Sequence, residues 1–241
     1  MGPIQASPAS AGAGAGLGAS PGRCFADAGY NIAITARRPE RLQELASELS
    51  GRGVKAEVFG VDASDQAGMV AAFDAVETNL GPIDLALYNV NGRTVKELTE
   101  LSADDFEISW RSLCLGGFIM AREAAKRMLP RGAGSIFYTG GRGARRGLAE
   151  FTAFASAKAG LRSVAECTAR ELGPKGIHVA HFAVEASVGN EATRASRPEL
   201  AEKDAIVRTD DLAQVYLHTH NQPRNCWAFE VDLRPWCVDF I

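Results

Sequence analysis

Apolar runs and amphipathic stretches alternate along the chain. YNIAITA (Tyr30 to Ala36) reads as a strand. PERLQELASELSGRG follows, with Leu42, Leu45 and Leu49 on one helical face and Gly51 near the stop. KAEVFGVDA is the next strand, and SDQAGMVAAFDAVETNLG is a helix with Ser64 as its expected cap. IDLALYNV is a strand, and a long helix from Asp104 to Met128 stops before Pro130. GSIFYTG is a strand, Ala149 to Leu172 is helical, and Gly173-Pro174 ends it. GIHVAHFAV, TDDLAQVYLHTHNQ and WAFEVDL complete the series as strand, helix and strand. Ala186 to Asp204 has little apolar periodicity and is expected to be a loop or lid beside the site. Such alternation predicts an α/β fold: a three-layer, Rossmann-like, doubly wound parallel sheet, with residues 1–241 as a single domain.

Composition narrows the function classes. The chain has 241 residues, 46% hydrophobic and 23% charged, with a net charge of −3. That suits one large α/β core. No basic excess points to nucleic acid, and no apolar run approaches the roughly 20 residues that span a bilayer. MGPIQASPAS lacks the charged and apolar parts of a signal peptide. Five scattered cysteines, Cys24, Cys114, Cys167, Cys226 and Cys237, include no C-x-x-C and read as reduced thiols. The expectation is a cytoplasmic protein with a small-molecule substrate, no nucleic acid and no membrane. His178 and His181 point to opposite faces of a strand, and His218 and His220 to different sides of a helix, so no metal site is expected.

Gly12-x-x-x-Gly16-x-Gly18 stands ahead of a helical segment. Glycines there permit a tight turn and bring backbone N–H groups to a pyrophosphate at a helix N-terminus. On spacing alone, the stretch suits a flexible Gly/Ala linker as well. Pro8 disturbs the strand expected before it, since proline cannot donate a ladder bond. Pro21 falls about one turn into the helix expected after it. Alternatively, Ser20 caps that helix, Pro21 is its first residue and Gly29 ends it.

From about Gly12 to Trp236, order and spacing resemble the short-chain dehydrogenase/reductase family. The glycine pattern matches, and YNVNG falls where the family has Asn-Asn-Ala-Gly. LGPKGIHV, after a helix bearing Lys158, is also typical. The resemblance implies that Gly12, Gly16 and Gly18 hold the pyrophosphate, that Asp62 contacts adenine, and that Asn89 is a cofactor residue. The second strand ends ITARRPER, with no acid for a ribose 2′-hydroxyl. Arg37 and Arg38 instead suit the 2′-phosphate of NADP(H).

The family's catalytic tetrad is Asn, Ser, Tyr and Lys. Its Tyr carries the proton on the substrate oxygen, its Lys holds the nicotinamide ribose, its Ser orients the carbonyl, and its Asn supports a water relay. Here Ser112 stands at the Asn position, Gly141 at Ser, Phe154 at Tyr and Lys158 at Lys. Val184 and Glu185 replace the family's Pro-Gly. The catalytic candidates are therefore Lys158, Ser112 and Arg142, which follows the missing serine and suits a substrate anion or oxyanion. Tyr138, Glu150 and Glu185 are further candidates for the lost acid. The resemblance also implies a homodimer or homotetramer through helices rich in small residues. The expected function is an NADP(H)-dependent oxidoreductase with atypical catalytic residues, acting on a small carbonyl or imine. A non-redox isomerase, lyase or cyclase on the same fold, or an inactive binding subunit, is the alternative.

Overall fold

A computed structural model describes residues 8–11, 18–92, 94–189 and 191–238. Strands β1 (Pro8–Ala11), β2 (Ile32–Ala36), β3 (Ala56–Gly60), β4 (Leu85–Tyr88), β5 (Gly134–Thr139) and β6 (Ile177–Val184) come in chain order. A short β7 (Ser187–Gly189) and β8 (Ile206–Arg208) form their own parallel pair, and β9 (Glu230–Leu233) ends the main sheet. The main sheet runs β3-β2-β1-β4-β5-β6-β9, all parallel. Strand order reverses between β1 and β4, which makes the sheet doubly wound.

Helices cover both faces. Residues of α3 (Gln66–Leu80), α5 (Gly116–Met128) and α6 (Thr152–Leu172) pack Met69, Phe73, Ile119, Met120 and Leu161 against one side. On the other, α1 (Ala19–Asp27), α2 (Gln43–Ser50) and α9 (Thr209–His220) bring Phe25, Leu45, Leu49, Leu212 and Tyr216. The strands feed both cores alternately: Ile136 and Tyr138 point to the first, Phe137 to the second. None of the described helices is long and apolar enough to cross a membrane.

Several local expectations change. β1 forms despite Pro8, between β2 and β4. Pro8 is the first residue of the strand and pairs only with Leu85 of β4. Pairing with β2 begins at Ala9 with Ala33, so the missing N–H falls where that ladder has not started. Ser20 does not cap α1. The helix starts at Ala19 after Gly18, and Ser20 Oγ donates to Thr209 Oγ1 at 2.8 Å. Pro21 is then third in the helix, where its absent N–H has no intrahelical acceptor to lose. The other end behaves as expected. Gly29, at φ +89°, donates to Ala26, and Tyr30 donates to Phe25, closing a left-handed C-terminal turn.

Asp65, not Ser64, caps α3 by accepting from Ala67 N–H; Ser64 is bonded to Asp62. The long helix expected over 104–128 is α4 (Ala103–Trp110), one wider π turn over Arg111–Leu115, and then α5. A π turn frees carbonyls, and the Tyr88 hydroxyl donates to that of Ser112. Helix α6 begins at Thr152, three residues after Ala149. The expected loop at 186–204 holds β7, α7 (Glu191–Ser196) and α8 (Pro198–Glu202). Proline starts α8, and the β7–β8 ladder ties the segment down.

Candidate active site

Because the main sheet is parallel, every strand delivers its carboxyl end to one edge. The sequence candidates follow those ends in turn. Gly18 stands at the N-terminus of α1, whose first N–H groups receive no side-chain cap. Arg37 and Arg38 follow β2 and are exposed, with no ion pair to any described residue. Asp62 follows β3, and its Oδ1 accepts from Ser64 N–H and Oγ–H at 2.8 and 2.7 Å. Asn89 follows β4 and is buried. Gly12 and Gly16 lie outside the described residues.

A cavity of about 310 Å³ opens at this edge. Asn89, Thr139, Gly141, Arg142, Phe154 and Lys158 are among its lining residues. The structure thus brings Lys158, Arg142 and Asn89 together. Ser112 is not among the lining residues; it sits on the π turn with its carbonyl bound by Tyr88. Tyr138 does not face the cavity. It is fully buried in the core, its hydroxyl 3.5 Å from Thr168 Oγ1. Glu150 is exposed at φ +66°, and its carbonyl accepts from Lys96 N–H. The Glu185 carboxylate stands 3.8 Å from Arg142 Nε, and Arg142 Nη2 also donates to the Glu185 carbonyl at 3.1 Å.

Lys158 is 3% exposed. Its Nζ donates to the carbonyls of Thr139 at 2.9 Å and Val90 at 3.3 Å. It has no carboxylate partner among the described residues. Burial in that setting pushes its pKa down to about 8. An ammonium this close to neutrality gives up its proton far more readily than an exposed lysine.

Around the base of Lys158 lies a second charged group. His181 on β6 is fully buried and bonds Glu230 Oε1 of β9 at 3.0 Å through Nδ1. Burial, more than Glu230 can offset, pushes His181 down to about 4, so the ring is neutral at pH 7. Its Nε2 abuts Gly140, where any Cβ would collide with the ring. Glu230 also accepts a two-pronged bond from Arg162 of α6, Nε at 2.8 Å and Nη2 at 2.9 Å. That bond, above all, holds the Glu230 carboxyl at about 2. The folded pKa lies below the ordinary value, so this stabilisation is present above about pH 4.5 and is lost as pH falls toward 2. Glu230→Gln is expected to destabilise the fold by about 1 kcal/mol at pH 7, because Arg162 and Arg145 each lose a carboxylate while Arg162 keeps Glu166 and Arg145 keeps Asp232 in a partly exposed network. Urea midpoints of both proteins should differ at pH 7 and converge on acidification; equal midpoints at pH 7 would show that the pair contributes nothing.

Three cavity residues carry no signal in the apolar pattern: Arg146, Phe151 and Arg197. In the sequence, nothing distinguishes Arg145 from Arg146 as the one that faces solvent. Arg145 pairs with Asp232 of β9, leaving Arg146 to the cavity.

Known proteins resemble this chain in both sequence and shape. The family model described as short chain dehydrogenase matches residues 10–200. D-threitol dehydrogenase of Mycolicibacterium smegmatis is 30% identical over 168 residues, which cover 70% of this chain and 65% of that protein. 2,3-Dihydro-2,3-dihydroxybenzoate dehydrogenase of Bacillus subtilis is 33% identical over 162 residues, covering 67% and 62%. The matched stretch therefore spans less than two thirds of either relative's length. The crystal structure of a short-chain dehydrogenase from Rhodopseudomonas palustris superposes with a TM-score of 0.85 at 32% identity, over 97% of this chain and 100% of that one.

Proposed function

Since the chain belongs to the short-chain dehydrogenase family, we propose that it is an NADP(H)-dependent oxidoreductase of a small carbonyl or imine, with Lys158 as its proton-carrying group. The observation behind this reading is the Lys158 ammonium: buried, on the cavity wall and softened to about pH 8. Its relatives named above act, by their names, on threitol and on a dihydrodiol acid. Both names are compatible with a hydroxyl–carbonyl interconversion here.

The described residues suit the cofactor. β1 is paired on both sides and α1 starts directly after Gly18, which supports a phosphate loop between them carrying Gly12, Gly16 and Gly18. Arg37 and Arg38 offer two exposed guanidiniums to a 2′-phosphate. Asp62 and Asn89 stand at the next two strand ends, where adenine and the neighbouring ribose would pass. When bound, the nicotinamide supplies the hydride. The chain's part in reduction is the proton. The Lys158 ammonium would give its proton to the substrate oxygen as that oxygen gains negative charge, and the neutral amine left behind would reprotonate from water. Arg142, beside the developing oxyanion, would steady its charge. Ser112 is assigned a supporting role through the π turn rather than contact with substrate. Phe106, Ile108, Trp110 and Phe118, exposed on α4 and α5, support a homodimer or homotetramer.

The cofactor choice has a direct test. Arg37→Ala with Arg38→Ala should raise the NADPH dissociation constant at least about tenfold and leave NADH binding unchanged. Nicotinamide fluorescence measures both. A native protein that binds neither cofactor, or both alike, would remove the reading.

A further inference from the structure

The charged side chains lining the cavity are all cationic. Among the residues lining it are Arg142, Arg146, Arg197 and Lys158, and none is an aspartate or glutamate. Arg142 is partly matched by the neighbouring Glu185. The other two arginines are not matched by any described carboxylate. Arg197 is exposed, and among the described residues its Nη1 donates to the neutral Ser187 Oγ, at 3.0 Å. Arg146 is half-buried, and its Nε is out of water's reach with no hydrogen-bond partner among the described residues. A guanidinium N–H without water or acceptor is costly to hold in a fold. Both arginines line the cavity, and guanidinium geometry fits a carboxylate with two parallel bonds.

The rest of the lining is largely apolar. Leu148, Phe151, Phe154, Val184 and Val188 face the same space, with Phe151 and Phe154 edge to face at 6.2 Å. A ligand that satisfies both kinds of lining has an anionic end and a flat or branched hydrocarbon body. We propose that this cavity takes a carboxylate-bearing substrate, an oxo or hydroxy acid, whose carboxylate lies on Arg146 and Arg197 and whose apolar body lies on Phe151 and Phe154. This deepens the oxidoreductase reading above, because it takes the cavity as the substrate side of that site. Lys158 and Arg142 are left for the reacting oxygen.

The test uses the full chain and three probes: benzoate, benzyl alcohol and inorganic sulfate. Each is titrated calorimetrically at constant ionic strength, with and without NADPH. Benzoate is expected to bind at least about tenfold more tightly than benzyl alcohol. Arg146→Met and Arg197→Met should each remove most of that preference and leave benzyl alcohol unaffected. Arg170→Met, on the exposed face of α6, should change neither. Melting curves establish that the variants fold; should Arg146→Met not fold, Arg146→Gln and Arg197→Met carry the test. A benzyl alcohol affinity equal to that of benzoate, sulfate binding as tightly as benzoate, or a preference that survives both arginine variants would overturn the proposal. NADPH fluorescence in the same titrations separates the two readings. Bound NADPH without benzoate preference overturns the carboxylate site alone. Benzoate preference without any NADPH binding supports the carboxylate site and overturns the redox reading.

Discussion

Gly141→Ser combined with Phe154→Tyr is expected to raise the rate of carbonyl reduction by about 10²–10⁴-fold, the usual effect of adding a positioned general acid. The backbone has room for both changes. Gly141 sits at φ 168°, extended backbone that any residue adopts. A Cβ there would meet only the Val184 carbonyl, at 3.8 Å. Phe154 already lines the cavity, and its ring rests on Gly143, where a Cβ would approach Cε1 to 2.9 Å. Phe154 and Lys158 are four residues apart on α6 and share a face, so a phenol hydroxyl would enter the surroundings of the Lys158 ammonium. A neighbouring positive charge lowers a phenol's pKa, which is what a tyrosine acid needs near neutral pH. NADPH consumption at 340 nm, with benzoylformate as an oxo-acid substrate, reads the gain. A folded double variant that binds NADPH and reduces no faster than the native chain would mean that the cavity does not present carbonyls to this wall.

The two changes also show how far sequence reaches at this site. Gly141 and Phe154 stand out by position in the chain, and so does Lys158, because a helix and a strand end separate them by fixed spacings. The sheet was legible for the same reason: YNIAITA, GSIFYTG and GIHVAHFAV are buried on both faces, and buried parallel strands read as unbroken apolar runs. β1 was not legible. PASA has no apolar run, and it joins the sheet because β2 and β4 offer ladders on both sides. The cap of α3 depended on which of two adjacent polar residues turned inward, and Ser64 was drawn away by Asp62. The segment at 186–204 has too few apolar positions to show a period; its β7 is ordered by β8, whose paired residues stand nineteen positions later. Arg146 and Arg197 were hidden for a further reason. A charged residue gives the same sequence signal whether it faces solvent or a pocket, and only the pairing of Arg145 with Asp232 separates it from Arg146.

Lys158→Met is expected to reduce activity by about 10²–10⁴-fold and, in the ligand-free protein, to stabilise the fold. Both effects have one cause. Burial lowers the Lys158 pKa from 10.5 to about 8. The unfolded chain therefore holds the proton more tightly than the folded one, and the ammonium opposes folding by about 3 kcal/mol wherever it is charged in both states. Methionine keeps the unbranched length without the charge. It gives up the bonds to Thr139 and Val90 carbonyls, about 1–2 kcal/mol, so a net gain of about 1–2 kcal/mol remains at pH 7. The sign fixes the pH dependence. The opposing term is fully present below pH 8 and fades between 8 and 10.5 as the folded lysine deprotonates. The variant's advantage in urea should accordingly be largest at or below pH 8 and vanish, or reverse, by about pH 10. Carbonyl reduction by the native chain should be level below pH 8 and fall above it, since the proton to be given is then missing, and the variant should lose that inflection. A less stable variant at pH 7, or a native rate that stays level to pH 10, would take the proton away from Lys158. A position that weakens the resting fold and yet sits on the cavity wall is what selection for chemistry, rather than for stability, leaves behind.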